Sequence, residues 1–489
     1  MIKIYRFMNK KLSFLYHIGE AITPLDGRNK HKIRELSYFF SEKALDKFRL
    51  LIELSYLKKL SQYKVIRSLT NRELTTIFRK IKAFSLKDYE KIREIEKKTN
   101  HDLKAVEEFI RDSLKKTSLK DVVEMIHFSL TSDDINNLAY VLMIKGSLKK
   151  IIIPELEKIE ENLKEKSRKY KNIPMLARTH GQPAAPTTVG KEFLVYRQRL
   201  KEEIKILKNL LFKGKLTGNS GNLNAHKFVF PKINWLKFSE EFIASLGLEQ
   251  DLVTTQIEPY DSLIRIFNSL LCINNILLGL SIDFWYYISL GYFKQKLIKT
   301  EVGSTALPHK INPIYFEGAE GGFGIANSLL EFYCRKLSYS RLQRDLSDST
   351  VRRSFGIAFG YCLLSYQSIN EGLNRIEADY DNIKYDLTRH PEVISEAIQN
   401  FLRTKDYKDA YDKTKKFFRG KDVDLTSIKK FIKNFKLEEG DEEKLIGLLP
   451  EKYTGYAEEI VNKFLNIKQL KVKKLLKIKR LNTNNSFNI

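Results

Sequence analysis

The sequence predicts an all-α protein built round a long central helical bundle, and three observations carry that prediction. Phe193, Tyr196, Leu200, Ile204, Leu207 and Leu211 stand three or four apart with charges between them, and Ile153, Leu156, Ile159 and Leu163 repeat the pattern upstream. Each set lays an apolar stripe on one helix face that must pack against a neighbour. Strand signals are scarce. The third observation is an apolar window over 270–293, long enough for a central helix.

Taken in chain order, residues 1–20 mix charges with aromatics and lack the apolar core of a secretory signal, and Met8 offers a second start. Boundaries near 120 and 373 divide the chain into an N-terminal helical domain (1–120), a central helical-bundle domain (121–373) and a C-terminal helical domain with a basic tail (374–489). Pro154 is expected in the first turn of a helix, where a missing amide donor matters little. The run Gly218-Asn219-Ser220-Gly221-Asn222 breaks the pattern, so 214–224 reads as a long polar loop. Asn274, Asn275 and Asp283 are costly in lipid, so the window 270–293 reads as a bundle helix and not a membrane span. Pro308 and Pro313, with Gly303, predict a polar loop leading into a helix that begins near Ile314.

A chain of 489 residues with 43% hydrophobic residues is globular and can bury a substantial core. Three cysteines (Cys272, Cys334, Cys362) without metal-ligand spacing argue against a disulfide framework and fit a reducing, cytoplasmic setting. The net charge of +26 invites a nucleic-acid reading, because Lys and Arg neutralise phosphates. The lysines, however, are spread along nearly every helix, and only 468–480 forms a block, with seven basic residues and no acid. Compositional drift therefore explains the charge better than nucleic-acid binding. The positive field would still draw a polyanionic substrate into a cleft.

Two segments carry chemistry. In Gly303-Ser304-Thr305-Ala306-Leu307-Pro308-His309-Lys310-Ile311-Asn312-Pro313 a hydroxyl follows a glycine, with a cation and an amide further on. Such a loop can present a basic oxygen beside groups that hold an anion, although the same residues also suit a surface turn. Arg178-Thr179-His180-Gly181-Gln182-Pro183 sets a histidine among polar neighbours, unusual for a residue chosen to fill apolar space. Histidine suits proton transfer near neutral pH.

The loop resembles the signature of the fumarase/aspartase superfamily, whose members eliminate fumarate from a substituted succinate. Further segments narrow the resemblance to the bacterial adenylosuccinate lyase family. They are Asp26-Gly27-Arg28, Thr99-Asn100-His101-Asp102, Lys104-Ala105-Val106-Glu107, Ile126-His127-Phe128 and Thr131-Ser132-Asp133-Asp134-Ile135-Asn136-Asn137. Thr254-Thr255-Gln256-Ile257-Glu258-Pro259 and Gln343-Arg344-Asp345-Leu346-Ser347-Asp348-Ser349-Thr350-Val351 follow in the family's order, and the similarity runs from about Ala21 to about Lys463.

The resemblance implies a three-domain, all-α homotetramer whose central bundles pack into a twenty-helix core, with each site assembled from three subunits. It implies cleavage of adenylosuccinate to AMP and of the succinyl-carboxamide ribotide SAICAR to AICAR, each with fumarate, and no metal or organic cofactor. Ser304 would be the general base and His180 the general acid, with Glu317 as the histidine's carboxylate partner and Lys310 as a cation for the aci-carboxylate. Arg28, Arg344 and Arg353 would hold carboxylate or phosphate through paired hydrogen bonds. Asn29, Asn100, His101, Asp102, Thr131, Ser132, Gln256, Thr305, Asn312, Ser349 and Thr350 match the remaining substrate-binding positions. Thr131-Ser132 before Asp133-Asp134 equally reads as an ordinary helix start.

The chain departs from the family pattern in places. Asn29 stands for a tyrosine, Thr305 for a serine, Leu307 for a methionine, Asn219 and Ser220 for small apolar residues, and Tyr260 for a histidine. These bear on affinity and turnover more than on reaction type. The rival readings are another lyase of the superfamily, such as argininosuccinate lyase or fumarase, and a basic helical nucleic-acid-binding protein.

Overall fold

The computed structural model describes residues 21–298, 300 and 306–465. Ser304, Thr305, the amino-terminal stretch with Met8 and the basic block at 468–480 lie outside the described residues. Among the described residues the chain is all-α apart from three short two-stranded ladders. It divides into two compact units, each drawn from three stretches of sequence. The first uses Met1–Leu156, Ile204–Asn274 and Gly321–Gln367, and the second uses Glu157–Glu203, Asn275–Glu320 and Ser368–Ile489.

In the first unit, helix α1 (Glu42–Gln62) packs against α2 (Asp102–Lys115) and α3 (Ser132–Ser147). Ile52, Leu54 and Leu57 of α1, Ile110 of α2 and Ile135 and Leu138 of α3 are fully buried in that packing. Local sequence sets the starts of these helices. His101 caps α2, its Nδ1 accepting from the Lys104 amide at 3.2 Å, and Asp134 reaches back to the Thr131 amide at 2.9 Å.

Pro154 lies in the first turn of its helix, as expected, although that helix does not begin afresh. A π-helical turn, Leu148–Ile152, carries α3 directly into α4 (Ile153–Lys169). The wider turn lets the helix pass a residue that lacks an amide donor and whose ring crowds the preceding carbonyl. The loop expected over 214–224 is present, with neither helix nor strand from 215 to 223. Its first half is buried, with Lys215 and Thr217 both fully shielded, and Lys213–Gly214 pairs in parallel with Glu249–Gln250.

The second unit holds the hairpin β1 (Pro174–Thr179) and β2 (Gln182–Thr188), followed by helix α5 (Val189–Asn209), which starts in this unit. Its aromatic core stacks Tyr170, Phe193, Phe284, Phe293 and Phe316, with Phe193 and Phe284 ring centres 4.7 Å apart. A further apolar cluster from Leu387 to Leu445, joined by Leu176 of β1, seats the C-terminal helices beneath the hairpin.

The apolar window is helix α6 (Asp261–Ser289), long and apolar enough by composition to span a membrane and more than half buried over that window. Asn274 is fully buried and satisfied by Tyr366 (2.6 Å) and Asn327 (2.8 Å), which marks it as a bundle-core residue. Helix α7 (Ile314–Leu337) begins at the predicted residue.

Candidate active site

The expected proton donor sits at the tip of a hairpin. Thr179 and Gln182 pair across β1 and β2, leaving His180 and Gly181 as a two-residue loop with φ of +54° and +74°. Two positive φ values give a type I′ turn, whose twist matches the flanking strands. Histidine tolerates this region better than most side chains, and glycine occupies it freely. The imidazole therefore projects, exposed, from a rigid support. Arg178, one residue into β1, is fixed by Asp386 at 2.5 Å, and the Tyr292 hydroxyl donates to the same oxygen.

Three other predicted residues lie in the same unit. Glu317, in the first turn of α7, accepts from the Trp285 indole N–H at 3.1 Å. Among the described residues of one protomer no hydrogen bond joins Glu317 to His180. Lys310 is exposed, and its amide donates to Leu307 at 3.0 Å, which closes a turn in the loop. Gln295 tethers the Ile311 carbonyl at 2.8 Å, just before half-buried Asn312.

The first unit holds the other described candidates. Arg28 is exposed in the turn before the short helix Lys30–Ile33, and Asn29 precedes that helix without capping it through its side chain. Asn100 ends the helix Leu86–Thr99 in the left-handed region at φ +50°, and His101 and Asp102 follow at once. Asp102 is a charge hub. Its Oδ2 accepts from Arg49 and from Arg353, each at 2.6 Å, and its Oδ1 from the Leu103 amide at 2.7 Å. Burial works against its charge, but the two guanidinium groups outweigh it and hold the carboxyl well below its ordinary range.

Arg353 ends helix α8 (Ser347–Arg353), which also carries half-buried Ser349 and exposed Thr350. Gln256 bonds Arg344 at 3.1 Å and the Asn219 carbonyl at 2.9 Å, so Arg344, Gln256 and Asn219 form one chain. Thr131 and Ser132 are half-buried at the start of α3.

Several organising residues escaped the sequence reading. Asp134 and Lys215 form an ion pair at 3.0 Å with both side chains fully buried, and Asp134 also accepts from the Thr217 amide at 3.0 Å. This joins the Thr131–Ser132 turn to the strand that leads into Asn219. His127, at φ +61°, is wedged between Glu53 (2.6 Å) and Glu107 (3.7 Å). Burial lowers its pKa, yet the two carboxylates prevail and raise it. Glu258 is fully buried, and that burial raises its pKa to about 8. Asn100, His127, His180 and Tyr260 are all non-glycine residues at positive φ, within or beside the quoted segments. Backbone strain of this kind gathers at functional sites.

The comparisons with known proteins bear on the family. A lyase family model matches residues 27–324, and an adenylosuccinate lyase C-terminal family model matches 340–454. The chain is 43% identical over 448 residues to adenylosuccinate lyase of Legionella pneumophila strain Corby, covering 91% of this chain and 98% of the relative. It is 40% identical over 446 residues to the Escherichia coli K12 enzyme, covering 90% and 98%.

Among solved structures, a fumarate lyase from Mesorhizobium sp. BNC1 superposes with a TM-score of 0.72 at 18% identity, over 89% of this chain and 97% of that one. A 3-carboxy-cis,cis-muconate lactonizing enzyme from Pseudomonas putida gives 0.71 at 16%, with the same coverage. These two matches bear on the fold alone. The sequence matches run almost end to end at 40–43% identity, and they place the chain in the adenylosuccinate lyase family of the fumarase/aspartase superfamily.

Proposed function

We propose that the protein cleaves adenylosuccinate to AMP and fumarate, and SAICAR to AICAR and fumarate, in purine nucleotide biosynthesis. The near end-to-end identity to adenylosuccinate lyases carries this reading. The reaction removes a weakly acidic proton beside a carboxylate and then breaks a carbon–nitrogen bond. The intermediate is an aci-carboxylate bearing two negative charges, so stabilisation of that developing charge is the largest catalytic requirement.

In this scheme Ser304 takes the proton as an alkoxide. Lys310 supplies a cation to the aci-carboxylate, and Asn312 with the loop amides supplies donors. His180 protonates the departing nitrogen, and its place at a hairpin tip keeps the ring oriented without burying it. Glu317 is assigned as the carboxylate partner that orients His180 in the assembled enzyme. Arg28, Arg344 and Arg353 hold the substrate's carboxylates and phosphate, with Asn29, Asn100, His101, Asp102, Thr131, Ser132, Gln256, Thr305, Ser349 and Thr350 completing the recognition surface.

We further propose a cytoplasmic homotetramer with sites shared between subunits. Trp285 and Tyr286 on α6, with Ile325 and Phe332 on α7, are large apolar side chains left exposed on bundle helices, as an assembly interface requires. The division at residues 120 and 373 into three domains belongs to the same proposal.

The direct test is fumarate release from each substrate by the purified chain, with molar mass measured by light scattering. Absence of fumarate from both substrates rejects the activity, and a monomer in solution rejects the shared site.

A further inference from the structure

Beneath the anion-binding residues of the first unit lies a charged cluster that the proposed mechanism does not use. Arg352, on α8, is 2% exposed, and Asp133, in the first turn of α3, is fully buried. The guanidinium Nη1 donates to Asp133 Oδ1 at 2.8 Å, and Nη2 lies 3.1 Å from Asp348 Oδ2. The Tyr260 hydroxyl donates to that same Asp348 oxygen at 2.6 Å. The guanidinium carbon stands 5.2 Å from the centre of the Tyr140 ring and 5.8 Å from that of Tyr260, within cation–π range of both.

Each of the three charged members of this cluster is a sequence neighbour of a residue assigned to substrate. Asp133 follows Ser132, Asp348 precedes Ser349, and Arg352 precedes Arg353. Burying a cation with two carboxylates is a poor source of stability, since apolar side chains of similar volume hold a fold together as well or better. The pairing supplies direction instead. Two arms of a planar guanidinium fix where both carboxylates sit, and hence where both backbones run.

We propose that Arg352 is a positioning residue for substrate binding: it locks α8 to the first turn of α3 and so sets the spacing between Thr131–Ser132 and Ser349–Arg353. The proposal rests on the reading of those residues as contacts to the substrate's anionic groups. Arg352 acts on affinity, through residues that hold the substrate in both ground and transition states, so its loss raises KM and leaves kcat nearly unchanged.

The test compares R352L, R352K and the triple variant D133N/R352L/D348N with wild type, in the full-length protein, by Tm and by steady-state fumarate release. R352L strands two buried carboxylates and lowers Tm. The triple variant removes those charges, so its Tm recovers, while its KM stays raised about tenfold with kcat within about threefold. R352K keeps the charge without the two-armed geometry, and raises KM several-fold at near wild-type Tm. Unchanged KM in R352K, or KM returning with Tm in the triple variant, overturns the proposal. A fall in kcat at constant KM overturns it too. Wild type that releases no fumarate rejects the functional reading itself, which separates that failure from the failure of Arg352.

Discussion

Arg353 and Asp102 share an ion pair at 2.6 Å, and the same guanidinium reaches both oxygens of Glu42 at 2.8 Å. A side chain proposed to hold a substrate anion is therefore already engaged by two carboxylates. Glu42 is 43% exposed and is the partner that an incoming anion can displace, whereas Asp102 is also anchored to buried Arg49. On the proposed role of Arg353, Glu42 competes with substrate. E42Q is expected to lower KM by about two- to fivefold at low ionic strength, the scale of an exposed ion pair, and the gain should fade with salt. R353K should raise KM by about tenfold, because an ammonium cannot reproduce the fork. Initial rates at two salt concentrations check both, and a KM in E42Q equal to or above wild type removes Arg353 from the substrate site.

The hairpin tip separates chemistry from fold. Asparagine adopts the left-handed region readily, so H180N should preserve the type I′ turn while removing the proton donor. The expected loss is about 10²–10⁴ in kcat with an unchanged circular dichroism spectrum. G181A is the complement. A Cβ at Gly181 would meet nothing within 4 Å, so its cost is backbone strain at φ +74° alone, about 1 kcal/mol. A folded H180N enzyme with near-normal turnover rules out His180 as the acid.

What the sequence made legible was local. The stripes around Phe193 and Ile153, the start of α7 at Ile314 and the bundle role of Asn274 all rest on spacing within one element. The hairpin around His180 was not legible. Its strands carry Pro174, Pro183 and Pro186, and its turn lacks the Asn-Gly pair that usually announces this geometry. The buried charges were hidden for a different reason. Asp133 and Arg352 lie 219 residues apart, and in sequence each reads as a solvated charge on a helix end. Only the tertiary fold brings them together in the interior. Tyr260 illustrates the same limit: read as a departure from the family's histidine, it supplies a hydroxyl to Asp348 within that buried cluster.

Glu258 gives the stability of the protein a defined pH dependence. Burial is the main cause of its pKa rising from 4.5 to about 8, and the Tyr260 amide, donating to Oε2 at 2.8 Å, only partly offsets it. Between these values the folded state keeps a proton that the unfolded chain has released. The contribution is therefore fully present below pH 4.5, declines as pH rises through the interval, and is lost above about 8. E258Q removes this titration and leaves an uncharged group that can still accept from the amide. Its Tm relative to wild type should be near zero or slightly lower at pH 5 and clearly higher at pH 8.5. A Tm difference that stays constant across this range shows that Glu258 does not titrate there.

Asp134 and Lys215 make the strongest case for a structural charge. Both side chains are fully buried, the ammonium also donates to the Gly218 carbonyl at 3.0 Å, and Asn137 clamps the Lys215 backbone through its N–H (2.9 Å) and its carbonyl (3.0 Å). Removing one partner leaves an uncompensated charge in the interior. K215M is expected to cost about 3–5 kcal/mol in urea unfolding, since a buried charge without its partner is far more costly than the pair. Neutralising the other side as well removes that stranded charge, so D134N/K215M should be less destabilised than K215M alone, and the two substitutions should be strongly non-additive. Its turnover should nevertheless remain impaired, because Asp134 accepts from the Thr217 amide through one oxygen and from the Thr131 amide through the other, and an asparagine has a single oxygen to accept with. If K215M unfolds like wild type, or the two substitutions add independently, the pair does not organise this face of the site.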